Sequence, residues 1–217
     1  MIFHHVMRHQ GKPVVENNDQ LLQYVGGEGG TGKSWVIDAV RLGMKILDRE
    51  QEVLVTAPTG RAARLIQGNT IHTALDVAVR KQRKRGASQR VRSLWANKTV
   101  LVADEISMVS SKLMTAIDEQ CKIVKNLDSN STTVFGGLAV VLVLGDFHQF
   151  APVKVKALWQ KQMSDDEKRG QELWHMFNNV VVLDEQMRQQ KDIDYHELLK
   201  RVRNAAVTQA DVDLLGS

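Results

Sequence analysis

Five short apolar runs punctuate the chain: 21–25 (LLQYV), 53–56 (VLVT), 100–103 (VLVA), 138–144 (LAVVLVL) and 180–183 (VVVL). They are rich in Val and Leu and do not alternate with polar residues. That is the pattern of strands buried on both faces, as in a parallel sheet covered by helices. Residues 34–47 follow the first run with Val36, Ile37, Val40, Met44 and Leu47 near helical spacing. Ser110 or Ser111 can cap another helix, whose Leu113, Met114, Ile117, Cys121 and Val124 form one apolar face. Strand, helix and strand in this rhythm predict an α/β fold with right-handed crossovers.

Two stretches break the rhythm. Residues 80–92 (RKQRKRGASQRVR) are strongly basic, and 126–137 (NLDSNSTTVFGG) are polar and end in two glycines. Both read as loops between elements. The basic run suits contact with DNA phosphates, a nuclear address or a solvated loop. The tail 192–215 has helical spacing in Ile193, Leu198, Leu199 and Val202, and Thr208 is a candidate N-cap for a further short helix. No strand pattern accompanies these helices. The division expected is therefore one α/β domain over 1–183 and the helical opening of a second over 184–217.

Composition changes this picture little. The 217 residues carry a net charge of +4, a mild hint of a polyanionic partner. The lone cysteine, Cys121, excludes an internal disulfide and lies on an apolar stripe. No apolar run approaches the roughly 18 residues of a membrane span, and no signal-peptide pattern is present. His4, His5 and His9 lack nearby Cys or carboxylate partners and read as a loose polar terminus rather than a metal site.

The chemistry concentrates where apolar runs end. Gly27-Glu28-Gly29-Gly30-Thr31-Gly32-Lys33-Ser34 fits G-x-x-x-x-G-K-S/T between an apolar strand and an amphipathic helix, the context that gives the motif meaning. Glycines let successive backbone N–H groups turn inward onto phosphate oxygens, and the following helix adds its positive N-terminal dipole. Lys33 would reach the β- and γ-phosphates of ATP, and the Ser34 hydroxyl would ligate Mg²⁺. The third run ends in Asp104-Glu105. Asp104 would hold the same Mg²⁺ through its water shell, and Glu105 would polarise the water that attacks the γ-phosphate. That pairing suits hydrolysis. The fourth run ends in Gly145-Asp146-Phe147-His148-Gln149, where the amide of Gln149 could sense the γ-phosphate or the attacking water. The fold expected is thus a RecA-like P-loop NTPase, with the Gln149 strand between the phosphate-loop strand and the Asp104-Glu105 strand.

Taken in order, these blocks resemble the Pif-like (petite integration frequency) DNA helicases of superfamily one, relatives of the RecD helicases. GGEGGTGKS (26–34) is similar to their motif I, VTAPTGRAARLI (55–66) with GNTIH (68–72) to motif Ia and its partner, and LVADEISMV (101–109) to motif II. FGG (135–137) with LGDFHQFAPV (144–153) is similar to motif III, and LDEQMRQ (183–189) with LLKRVRNA (198–205) to motif IV and its sequel. The glycine-rich phosphate loop particularly resembles helitron-type transposon helicases.

The resemblance implies an ATP-dependent 5′-to-3′ DNA helicase acting on single-stranded and duplex DNA, in repair, recombination, telomere maintenance or transposition. It also implies a nuclear location, with the mitochondrion as the family's other compartment. It assigns Thr56, Pro58, Thr59, Gly60 and Arg61 to a segment touching single-stranded DNA, and His72 to the same strand path. Thr59 equally suits a helix cap, and His72 a packed core position. Arg188 matches an arginine that reaches the γ-phosphate from the second domain, and a surface ion pair is its other reading. The chain departs from the family pattern in Phe150-Ala151, where Leu-Pro is usual. It also lacks an upstream adenine-binding glutamine and motifs V and VI. A fragment is therefore expected, and the alternative to an unwinding enzyme is a relic domain that binds nucleotide and single-stranded DNA without coupling them.

Overall fold

The computed structural model describes residues 2–9, 20–77, 87–128, 131–161, 164–187 and 193–216. In chain order the elements are α1 (Ile2–His9), β1 (Leu21–Gly27), α2 (Lys33–Ile46), β2 (Val53–Ala57), α3 (Gly60–Leu65), β3 (Asn69–Thr70), α4 (Ile71–Leu75) and α5 (Gln89–Trp95). They continue as β4 (Val100–Ala103), α6 (Ser111–Val124), β5 (Val140–Gly145), α7 (Asp165–His175), β6 (Asn179–Leu183), α8 (Ile193–Arg203) and α9 (Gln209–Gly216). The strands form one parallel sheet of order β3-β2-β4-β5-β1-β6. As expected, β5 lies between β1 and β4.

Each central strand feeds two cores because its successive side chains point to opposite faces. Leu22, Leu54, Leu101, Val141 and Val143 meet α4, α5, α6, α7 and the turn at 134–137. Leu21, Val25, Val55, Val102, Leu142 and Leu144 meet α2 and α3. Ser110 caps α6 by accepting from the backbone N–H of Leu113, and Cys121 is fully buried on that helix.

Several sequence expectations need correction. The VVVL run forms β6, but Val180, Val181 and Val182 are 57, 40 and 67% exposed. β6 is a sheet edge, so an unbroken apolar run here marks an uncovered surface. The stretch 126–137 is not a plain loop: Val134, Phe135, Gly136 and Gly137 are buried, and the Phe135 N–H donates to Asp118 Oδ1. Gly136 has φ +64, and a Cβ there would strike the Cys121 carbonyl. The histidine-containing start is helical as α1. The later part of the basic run leads into α5, with Ser88 capping that helix by accepting from Val91 N–H, and 78–86 lie outside the described residues. A further helix, α7, opens on a capping box in which Ser164 and Glu167 exchange hydrogen bonds with each other's backbone N–H.

The tail forms α8 and α9, with no strand among the described residues after β6. Thr208 caps α9, its hydroxyl accepting from Asp211 N–H. Asp211 in turn clamps the two helices together by accepting from Arg201 Nε at 2.9 Å and Nη2 at 2.6 Å.

Candidate nucleotide-binding site

The site is built at the carboxyl ends of β4, β5 and β1, three adjacent strands, where parallel sheets bind ligands. β1 runs into a loop whose tightness is set by its glycines. Gly32 has φ +97 as it caps α2, a conformation few other residues adopt. A Cβ on Gly27 would strike Thr31 Oγ1 and come within 2.9 Å of the Leu183 carbonyl. Thr31 ties the loop by donating from Oγ1 to the Glu28 carbonyl at 2.9 Å. Gly29, Gly30 and Ser34 lie on the open side, with Ser34 exposed in the first turn of α2.

Lys33 lies at the centre. Its Nζ donates to the carbonyls of Gly27 and Glu28, both at 2.8 Å. Burial lowers its pKa, against the fields of Asp104, Asp146 and Glu105, so the ammonium sits within the field of all three carboxylates. Asp104 follows β4 and is buried, yet its Oδ1 has no hydrogen-bond partner. Burial raises its pKa, partly offset by the Glu105 N–H and by Lys33. An orphaned, desolvated carboxylate oxygen beside a phosphate loop is chemically suited to a hard cation and its water. Glu105 has φ +53, an unfavourable conformation for a residue with a side chain. Its carboxyl is also raised, first by burial, then by Asp104, against the pull of Lys33. A carboxylate with raised proton affinity is the better acceptor for a water proton.

Gln149 is exposed after β5, and its amide nitrogen lies 3.6 Å from where a Cβ on Gly29 would stand. That nitrogen donates to Asp146 Oδ2 at 3.2 Å. The phosphate loop, Asp104, Glu105 and Gln149 are thus brought together as the sequence predicts. Arg188 lies outside the described residues. The preceding residues do reach the loop: Met187 N–H donates to the Gly30 carbonyl and Gln186 Nε2 to the Gly29 carbonyl, both at 2.9 Å.

The segment assigned to DNA divides. Thr56 is 1% exposed and donates from Oγ1 to the Val102 carbonyl at 3.0 Å, so its side chain belongs to the sheet and is not a surface contact. Thr59 caps α3, accepting from Ala62 N–H at 3.2 Å, and Pro58 is half-buried beside it. Gly60 and Arg61 are exposed, with open space where a Cβ on Gly60 would project. His72 is half-buried in α4. Two functional candidates escaped the sequence reading. Asp146 accepts from Arg203 Nη1 and Nη2 at 2.7 Å each, and Arg203 Nε lies 3.1 Å from Glu28 Oε1. The signal available was an acid at the end of β5 and an arginine in the motif-like LLKRVRNA block. Nothing in their separation along the chain pairs them.

Fold and site together define an α/β domain of the P-loop NTPase class. The family model for PIF1-like helicases matches residues 3–211, and the chain belongs to that family. It is 33% identical over 154 residues to the ATP-dependent DNA helicase PIF1 of Emericella nidulans, covering 67% of this chain and 20% of that protein. The counterpart from Saccharomyces cerevisiae is 30% identical over 196 residues, 88% of this chain and 22% of that one. Among solved structures, the Pif1 helicase of Candida albicans superposes with a TM-score of 0.68 at 26% identity, over 96% of this chain and 44% of that chain. Bacteroides Pif1 bound to single-stranded DNA gives 0.64 at 23% identity, over 99% of this chain and 48% of that chain. The chain therefore spans about a fifth of these curated relatives and about half of these solved ones.

Proposed function

We propose that this chain is the ATP-binding and ATP-hydrolysing half of a DNA helicase. The observation that carries the reading is the convergence of Lys33, the orphaned Asp104 Oδ1, Glu105 and Gln149 around one glycine-built phosphate loop. The N–H groups of the loop and of the first turn of α2 cradle the β- and γ-phosphates, and Lys33 exchanges the Gly27 and Glu28 carbonyls for phosphate oxygens. Ser34 and Asp104 would hold Mg²⁺, which when bound neutralises charge on the phosphates. Glu105 takes a proton from the attacking water, and Gln149 orients that water or reads the γ-phosphate. Arg188 supplies positive charge to the γ-phosphate from the following segment.

The partners proposed are single-stranded and duplex DNA, with Pro58, Thr59, Gly60, Arg61 and His72 along the strand path. Exposed backbone at Gly60 and the Arg61 guanidinium suit a phosphodiester chain gripped without base reading. A nuclear setting agrees with a DNA-processing role. Among the described residues no helix is long and apolar enough to cross a membrane. The family supports coupling of hydrolysis to strand separation, while the division into 1–183 and a second unit from 184 rests on β6 closing the sheet. The test is Mg-ATP hydrolysis by the purified chain with and without single-stranded DNA. DNA-stimulated turnover abolished by Lys33→Ala supports the reading. Turnover indifferent to both DNA and Lys33 overturns it.

A further inference from the structure

Asp146 is an unusually occupied carboxylate. It follows the last residue of β5, its side chain is 3% exposed, and four donors converge on it. Arg203 Nη1 meets Oδ2 and Nη2 meets Oδ1, both at 2.7 Å. The His148 N–H reaches Oδ1 at 3.0 Å, and Gln149 Nε2 reaches Oδ2 at 3.2 Å. Because an ionised carboxylate only accepts, the nitrogen of the Gln149 amide must face it, and the amide oxygen is turned away. Burial pushes the Asp146 carboxyl up, but these hydrogen bonds, led by Arg203, outweigh burial and hold it below the ordinary range.

The guanidinium does not stop there. Its Nε lies 3.1 Å from Glu28 Oε1 in the phosphate loop, so one side chain of α8 spans the loop after β5 and the loop after β1. α8 is itself braced by the Arg201–Asp211 pair to α9. The segment before α8 also holds the phosphate loop, through Gln186 and Met187.

We infer that Arg203 is a positioning residue: by holding Asp146 in a two-pronged ion pair it fixes the orientation of the Gln149 amide against the phosphate loop and ties that orientation to α8. The inference rests on the ATPase reading above and deepens it, since it assigns the setting of Gln149 to a residue 54 positions further along the chain. The geometry has a second consequence. Without Arg203, the Asp146 charge would be left to the Lys33 ammonium, which it would share with Asp104 and Glu105, and the added negative charge would repel a polyphosphate. Lysine is a poor substitute, because a single ammonium does not match the fork that engages both carboxylate oxygens.

The test uses the full 217-residue chain and its variants Gln149→Ala, Arg203→Ala, Arg203→Lys and the double Gln149→Ala/Arg203→Ala. Affinities for Mg-ADP and for a non-hydrolysable Mg-ATP analogue are measured by calorimetry, with thermal midpoints beside them. A passive structural role would weaken both nucleotides together. The inference predicts that Arg203→Ala, like Gln149→Ala, loses preference for the triphosphate over the diphosphate by about tenfold, and that the double variant loses no more than either single, as expected of one shared network. Arg203→Lys, which keeps the charge and serves if the alanine variant does not fold, shows the same lost preference. Additive losses, equal weakening of both nucleotides, or an unchanged preference in the arginine variants overturn the inference. If the wild-type chain binds nucleotide in a Lys33-dependent way, such a result leaves the ATPase reading standing. Absence of any Lys33-dependent binding overturns both.

Discussion

Asp104 offers the sharpest test of how this site trades stability for chemistry. Its Oδ1 is buried without a hydrogen-bond partner, and burial raises its pKa despite the Glu105 N–H and the Lys33 ammonium. Above its folded pKa the carboxylate is ionised in the folded and unfolded states alike, but the folded state holds the charge at a cost. Asp104→Asn keeps the shape and removes the charge. A buried polar atom left unsatisfied costs about 1–3 kcal/mol, more for a charged group. The amide leaves its own atoms imperfectly bonded, so the expected gain is about 1 kcal/mol, at the lower end of that range. For a chain of this size that corresponds to a rise in melting temperature of about 2–4 °C. The sign of the pH dependence follows from linkage. A carboxyl whose folded pKa is raised takes up its proton before the unfolded state does as pH falls, so its penalty is present above the folded pKa and is gone below the unfolded one. The advantage of the asparagine variant is therefore greatest above the folded pKa and closes as pH falls below about 4, the unperturbed carboxylate value. The assay is calorimetric or dichroism melting across that range, with Mg-ATP binding measured in parallel, where the variant should lose Mg²⁺-dependent affinity. A variant less stable than wild type at neutral pH, or an advantage that grows on acidification, refutes the reasoning.

Other expectations follow from the same geometry. Glu105→Gln should still bind Mg-ATP but depress hydrolysis by about 10²–10⁴-fold, the usual contribution of a positioned base, as read by single-turnover assays. Gly170→Ala should destabilise by about 1–3 kcal/mol in urea titrations, because its Cβ would drive into the Ser111 backbone carbonyl where α7 crosses α6. The 217-residue chain alone should not separate a duplex carrying a 5′ single-stranded tail. A stepping grip needs a second strand-holding domain, and all the described strands lie in one sheet; ATP-dependent strand separation by this chain would contradict that.

The architecture was largely readable from the chain because the central strands are covered on both faces, and burial writes itself as unbroken Val and Leu. The same logic misjudged β6, whose valines are as apolar as those of β5 but stand at the sheet edge. Composition records that a face is apolar, not whether this chain covers it. The meeting of the phosphate loop, Asp104, Glu105 and Gln149 was legible because each lies just past the carboxyl end of a strand whose place in the sheet the apolar runs define. Thr56 was misread because a hydroxyl at a strand end suits either a ligand or a neighbouring strand, and only the placement of Val102 decides. The Asp146–Arg203 pair was illegible for a different reason. Its partners are set by how α8 returns to the sheet, a tertiary fact without a local signature.

The central claim, that the loop at 27–34 holds nucleotide phosphates, is tested most directly by titrating Mg-ATP into the wild-type chain and into Lys33→Ala. Removing a charge-assisted contact of this kind costs about 2–5 kcal/mol, a weakening of roughly 30-fold or more at 1.4 kcal/mol per decade, read beside the melting temperature without nucleotide, since Lys33 also bonds the Gly27 and Glu28 carbonyls. Equal affinity of the two proteins for Mg-ATP would contradict the account.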